Sequence, residues 1–135
     1  ASARLVTPYK VPAPREPYFV VMDFQHIDRS LLDKCLQDFV RYNNTRMHTD
    51  TTRIESSSFV LTQNKVLLIF RLFGDQASAM RYYHEISLNA LAAIMPDVDP
   101  SYYRFFYISR SDFILLNQTK DYKGWLDYFN AHYPH

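Results

Sequence analysis

Two strongly apolar runs, Phe59-Val60-Leu61 and residues 66–73, flank Thr62-Gln63-Asn64-Lys65 and lead through Gly74-Asp75 into a helical pattern that reaches Ile86. Such a stretch reads as a β-hairpin feeding a helix, because apolar β formers on either side of a short polar turn pair antiparallel. Gln63-Asn64 serves as a two-residue turn, although Gln is not a favoured left-handed residue and a slightly longer loop fits equally well. Gly74 lets the chain bend, and Asp75 can accept from the amides of the next turn while opposing the helix dipole. A hairpin between two helical segments, with a strand outside each, is the middle of a βαββαβ plan.

The flanking segments fit that plan. Tyr18–Phe24 is a nearly continuous apolar run rich in β formers, as in a central strand covered on both faces. Asp28 or Ser30 can cap the helix that follows. Ser30 with Asp33 makes a Ser-x-x-Asp capping box, and Leu31, Leu32, Cys35, Leu36, Phe39 and Val40 repeat at one-and-four spacing. Asn43-Asn44 ends that helix, and the hydroxyl-rich residues 45–53 read as an exposed loop. Residues 54–62 and 65–73 are the hairpin strands. A second helix carries Ala79, Met80, Tyr83, Ile86, Ala90, Leu91 and Ile94 until Pro96, which cannot continue it. Tyr103–Ser109 is a fourth strand dense in aromatic residues. Ser111-Asp112 reads as a local turn before the short apolar run 113–116. A third helix is predicted over 121–132, with Trp125, Tyr128 and Phe129 on one side and Gly124 as a weak point.

This order predicts an α+β fold, a ferredoxin-like βαββαβ sandwich with an antiparallel sheet and an additional C-terminal helix. Residues 1–17, with Pro8, Pro12, Pro14 and Pro17, read as a proline-rich linker or extended arm, and 18–135 as one domain. Both crossover helices pack on one sheet face, yet both parities of the strands are apolar. Phe19 and Val21 oppose Tyr18, Val20 and Met22, and Leu67 and Ile69 oppose Val66, Leu68 and Phe70. Leaving several such side chains wet costs several kcal/mol at about 25 cal/mol per Å². Something must cover the second face: the closing helix with Trp125 and Phe129, the arm, a second copy, or the rest of a parent protein. The candidate interaction surface is therefore Phe19, Val21, Leu67, Ile69, Arg104, Tyr107 and Trp125.

The chemistry-bearing residues form no catalytic motif. Charge is nearly balanced, 15 Lys+Arg against 14 Asp+Glu, so no global field steers the chain to nucleic acid or an anionic membrane. The aliphatic third strand lacks the Gly-containing aromatic motif of RNA-recognition sheets, and no nucleic-acid partner is expected. Arg41, Arg46 and Arg53 near the polar loop read as a solvated rim. With two glycines, Gly74 and Gly124, there is no phosphate loop, and no cofactor is expected. His26, His48, His84, His132 and His135 show no metal-ligand spacing, so no metal is expected either. The single Cys35 lies on an apolar stripe, where burial makes a thiol inert. An enzyme would need a pocket gathering residues such as Asp23, His84 and Asp112, and Asp23 and Asp112 are the pair that the strand ends could bring together. No apolar run approaches the roughly 20 residues that span a bilayer. The start, Ala1-Ser2-Ala3-Arg4, lacks an initiator Met and a signal-like apolar core, and the chain is read as a piece of a longer protein.

The hairpin passage also carries a family likeness. Phe59-Val60-Leu61, residues 65–73, and then Ala79-Met80-Arg81-Tyr82-Tyr83 with Ile86 resemble a passage in the C-terminal domain of tetratricopeptide-containing lipoproteins of Bacteroidetes. These are the gliding-motility and type IX secretion proteins of the SprE and PorW kind. The likeness continues in Phe106-Tyr107-Ile108-Ser109 with Asp112-Phe113 and Leu116, where the family tends to Ile-Ser-x-x-Asn-Phe, and in Tyr128-Phe129 and Tyr133. It spans 18–134. The departures are Asp112 in place of Asn and the absence of tetratricopeptide repeats from this sequence. The resemblance implies a non-enzymatic interaction or assembly domain of a cell-envelope lipoprotein, in the periplasm or at the outer membrane. Its partners would be envelope proteins, the rest of its own parent chain, or a second copy in a homodimer. The alternative is a small-molecule-sensing domain of the ACT type, which shares the topology.

Overall fold

The computed structural model describes Tyr9 and residues 16–24, 29–46, 54–63 and 65–133. Four strands, β1 (Tyr18–Phe24), β2 (Glu55–Thr62), β3 (Lys65–Phe73) and β4 (Tyr103–Ser109), form one sheet in the order β2-β3-β1-β4. Every pair of neighbours is antiparallel. The helices are α1 (Arg29–Arg46), α2 (Gln76–Asn89), α3 (Arg110–Thr119) and α4 (Tyr122–His132). A π turn, Ala90–Ile94, continues α2 and stops just before Pro96.

Alternation along the strands assigns the two faces. Val20 lies between Phe70 and Tyr107, and Val21 between Ile69 and Phe106. On the Val20 face, Phe39 of α1 meets Phe70 at 4.8 Å between ring centroids, and Tyr82 and Tyr83 of α2 meet Phe70 and Tyr107 at 5.6 and 5.1 Å. On the Val21 face, Phe113 of α3 meets Phe19 and Phe59 at 5.3 and 5.1 Å, and Trp125 of α4 meets Phe106 at 5.7 Å. The molecule is thus a sheet between two helical layers, which explains why neither strand parity is polar. Tyr9, within the proline-rich arm, packs on Trp125 and Tyr128 and donates its hydroxyl to the Asp121 carbonyl at 3.4 Å.

Several local expectations change. Asn43-Asn44 lies inside α1, which continues to Arg46. The buried Asn43 amide is held by its neighbours, accepting from Tyr82 at 2.5 Å and donating to Ser56 at 3.2 Å. Those bonds keep Asn from competing for its own backbone, which is what makes it a helix breaker elsewhere. Ser30 is already helical, so it is not the cap it resembled. Ser111-Asp112 is the first turn of α3 and not an isolated turn. Ser109 caps that helix by accepting from the Asp112 amide, while Glu16 accepts from the Ser111 amide at 2.8 Å and from its hydroxyl. An anionic side chain at a helix start is favoured by the dipole. At Gly124 a Cβ would fall 2.2 Å from the Asp121 carboxylate, which caps α4 through the Gly124 amide. Thr45 and Arg46, expected in a loop, are the last residues of α1, and residues 47–53 lie outside the described residues.

Candidate functional site

The densest polar constellation is built around Asp23 at the end of β1. Its side chain is fully buried, and three elements supply it. Lys65, first in β3, donates to Oδ1 at 2.8 Å and reaches the Phe24 carbonyl at 3.4 Å. Tyr122, first in α4, donates to Oδ2 at 2.6 Å, and Nε of Arg104 lies 3.5 Å from the same oxygen. The Lys65 ammonium also sits 4.9 Å from the centre of the Tyr122 ring. Register explains the convergence, because Asp23 pairs with Leu67 on one side and Arg104 on the other.

A buried carboxylate needs compensating donors, and here it has two cations and a hydroxyl. Burial first, and the neighbouring Asp23 charge second, push the Tyr122 phenol far above its ordinary value. It therefore stays a donor at neutral pH. The arrangement can fasten the start of α4 to the sheet, and it leaves Arg104 with 45% of its side chain exposed beside Lys65 with 24%. Lys65→Met removes the closest cation and should cost about 1–3 kcal/mol. Arg104→Gln, at the wetter site, should cost less than about 1 kcal/mol. Urea unfolding of both variants checks the ranking, and an Arg104→Gln loss equal to that of Lys65→Met would refute it.

The trio Asp23, His84 and Asp112 is not assembled. Because β1 and β4 are antiparallel, Ser109 faces Tyr18 at the start of β1, so Asp112 lies beyond that end while Asp23 lies at the other. The five residue steps from Tyr18 to Asp23 span about 17 Å of strand. His84 is exposed on α2. Burial pushes the Cys35 thiol up to about 11, so it is held as a thiol. Among the described residues no group of three His, Cys, Asp or Glu side chains converges as a metal site would, and no helix is long and apolar enough to cross a membrane. His132 stacks on Tyr128 at 4.2 Å, and His26, His48 and His135 lie outside the described residues. Arg41 pairs with Asp38 at 3.2 Å, whereas Arg53 and the side chain of Arg46 lie outside the described residues.

The surface inferred from strand parity is mostly interior. Val21, Leu67, Ile69 and Trp125 are buried beneath or within the α3 and α4 layer, and Phe19 is half-buried against Phe113. Tyr107 is buried on the opposite face, under Tyr83. Arg104 is the one member exposed, and it is committed to Asp23. Of the covers expected for the second face, the closing helix is the one present, with α3 beside it, so these residues do not form an outer face for a partner.

What parity could not show is the contrast between the two sheet edges. Phe129 of α4 lies 6.0 Å from Phe106 and 5.2 Å from Tyr107, whose side chains point to opposite faces of β4. One ring touching both faces of an edge strand must lie over the edge, so α4 shields β4. Among the described residues the other edge, β2, has a strand neighbour on one side only, and Ser57, Ser58 and Val60 are exposed along it. Beside it is a hollow of about 330 Å³ lined by Val40, Asn43 and Asn44 of α1 together with Ile54 and Ser56. No family model, no curated protein and no solved structure matches this chain.

Proposed function

We propose that the sheet is of the ferredoxin-like kind and that the domain is a non-enzymatic interaction and assembly module of a cell-envelope protein. Strand order β2-β3-β1-β4, all-antiparallel pairing and one helix in each of the β1–β2 and β3–β4 crossovers support the fold reading. The envelope setting, with its link to type IX secretion or gliding motility, rests on the likeness of the hairpin and Tyr82-Tyr83 passage. One observation carries the interaction reading: among the described residues β4 is shielded by its own helix while nothing covers the β2 edge, and an open edge is a template for another chain.

Photo-crosslinking in the native cells tests it. A photoreactive residue at Val60 is expected to give covalent adducts in the envelope fraction, and one at exposed His84 on α2 is not. Equal adduct yields from the two positions would remove the special role of the edge. Recovery of the chain outside the envelope would refute the setting.

A further inference from the structure

The geometry points to an oxyanion-binding site at the Asp23 cluster, with Arg104 and Lys65 as the receiving cations and a carboxylate or phosphoryl group as the ligand. The site does not depend on the β2 edge or on the interaction reading. Fastening α4 to the sheet accounts for only part of the cluster. Lys65 at 2.8 Å and Tyr122 at 2.6 Å already give each oxygen of the buried carboxylate a hydrogen bond. Arg104 approaches Oδ2 through Nε at 3.5 Å, an ion-pair distance and longer than a normal hydrogen bond. Two cations against one carboxylate leave one positive charge over. Among the described residues no second carboxylate pairs with Lys65 or Arg104 to take it up.

Strand register fixes where that charge points. Leu67, Asp23 and Arg104 stand opposite one another across β3, β1 and β4, and Lys65 is two residues before Leu67, so the three charged side chains share one sheet face. Asp23 is the inner end of the cluster and is fully buried. Outside it, Arg104 keeps 45% and Lys65 24% of its side chain in solvent. A guanidinium engaged through Nε still has both terminal amino groups, and their N–H donors form an edge that grips a carboxylate or phosphoryl group through two parallel bonds. Lys65 donates one N–H to Asp23 and another to the Phe24 carbonyl, which leaves a third. Its ammonium is also steadied by the Tyr122 ring, 4.9 Å away. Long cationic side chains lose rotamer freedom when they hold an anion, and that loss opposes binding. Here the buried carboxylate has already restrained both, so the remaining donors are presented in place.

Heteronuclear NMR of the purified chain tests this, with sodium acetate and inorganic phosphate as probes and sodium chloride at matched ionic strength as the reference. Acetate or phosphate should shift the amides of Lys65, Arg104 and Tyr122 along a saturating curve with a millimolar dissociation constant, and chloride should not. The probe that saturates at the lower concentration tells a carboxylate ligand from a phosphoryl one. Arg104→Gln, which keeps the Lys65 and Tyr122 bonds to Asp23, should weaken binding at least about 10-fold with an unchanged circular dichroism spectrum. Arg81→Gln, at an exposed arginine of α2 on the other side of the sheet, should bind as the wild type does. Shifts that rise linearly with salt, that chloride reproduces, or that keep the same dissociation constant in Arg104→Gln overturn the site. Crosslinking at Val60 is read separately, so either proposal can fail without the other.

Discussion

Raising the pH from about 9 to about 11 should unfold this domain cooperatively, through its buried phenols. Tyr18, Tyr107 and Tyr133 are almost wholly enclosed, and burial, the largest cause in each, raises all three phenols above the ordinary 10.0. Tyr133 is raised further by its hydroxyl contact with Tyr18 at 3.4 Å, and Tyr107 by neighbouring Tyr83. Below pH 10.0 these phenols are protonated in both states and cost the fold nothing. Above it the unfolded chain ionises before the folded one does, so stability falls as pH rises. One pH unit past 10.0 costs about 1.4 kcal/mol for each of Tyr107 and Tyr133, or about 3 kcal/mol for the pair, and Tyr18 adds in the same direction. That approaches the lower end of the 5–15 kcal/mol typical of a domain. Tyrosinate absorbance and far-ultraviolet circular dichroism, followed together, should change in one coincident step. A gradual tyrosinate signal reaching completion with the circular dichroism intact would contradict this.

Those phenols are legible as aromatic residues in the sequence, but their enclosure is not, and the same division runs through the fold. The four strands could be read because each is a compact apolar run bounded by breakers, and double-sided apolarity correctly demanded two covering layers. One of the covers, α3, was obscured by Ser111-Asp112, a pair that favours turns. Yet Ser109 and Asp112 stand in the same Ser-x-x-Asp spacing that drew notice at Ser30 and Asp33. At Ser109 the preceding strand ends in place and Glu16 completes the cap, whereas Ser30 falls inside a helix already begun. Spacing alone cannot distinguish these, because a cap depends on where the chain enters the helix. The polar cluster was less legible still. Asp23 sits in an apolar run, and its partners Lys65, Arg104 and Tyr122 are brought to it by strand register and helix placement. Arg104 stands among the candidate surface residues of the sequence, and nothing local ties it to a carboxylate 81 positions away in the chain. The open edge at β2 depends on strand order and on where α4 ends up, and nothing local to Ser56-Ser57-Ser58 announces it.

Trp125→Ala should be the most damaging single substitution, lowering stability by about 3–5 kcal/mol. Its indole is fully buried and joins Tyr9 of the arm, Phe106 of β4 and Tyr128, Phe129 and Tyr133 of the closing segment, all within 6.1 Å between centroids. Removing it leaves a void where five aromatic rings converge, and large rings cannot collapse to fill it. The loss has a second consequence that an ordinary core deletion lacks. With α4 loosened, Phe129 no longer covers the β4 edge, and a seven-residue aromatic strand gains a free side. The variant should therefore aggregate through an edge that the wild type keeps closed. Trp125→Phe separates the two ideas. The indole N–H has no hydrogen-bond partner among the described residues, so replacing it with Phe keeps a ring and sheds an unsatisfied donor. Its cost should stay near or below about 1.5 kcal/mol, as for other conservative core exchanges. Thermal unfolding with light scattering checks both variants: a Trp125→Ala protein that loses stability but stays soluble would show that β4 is protected by more than α4.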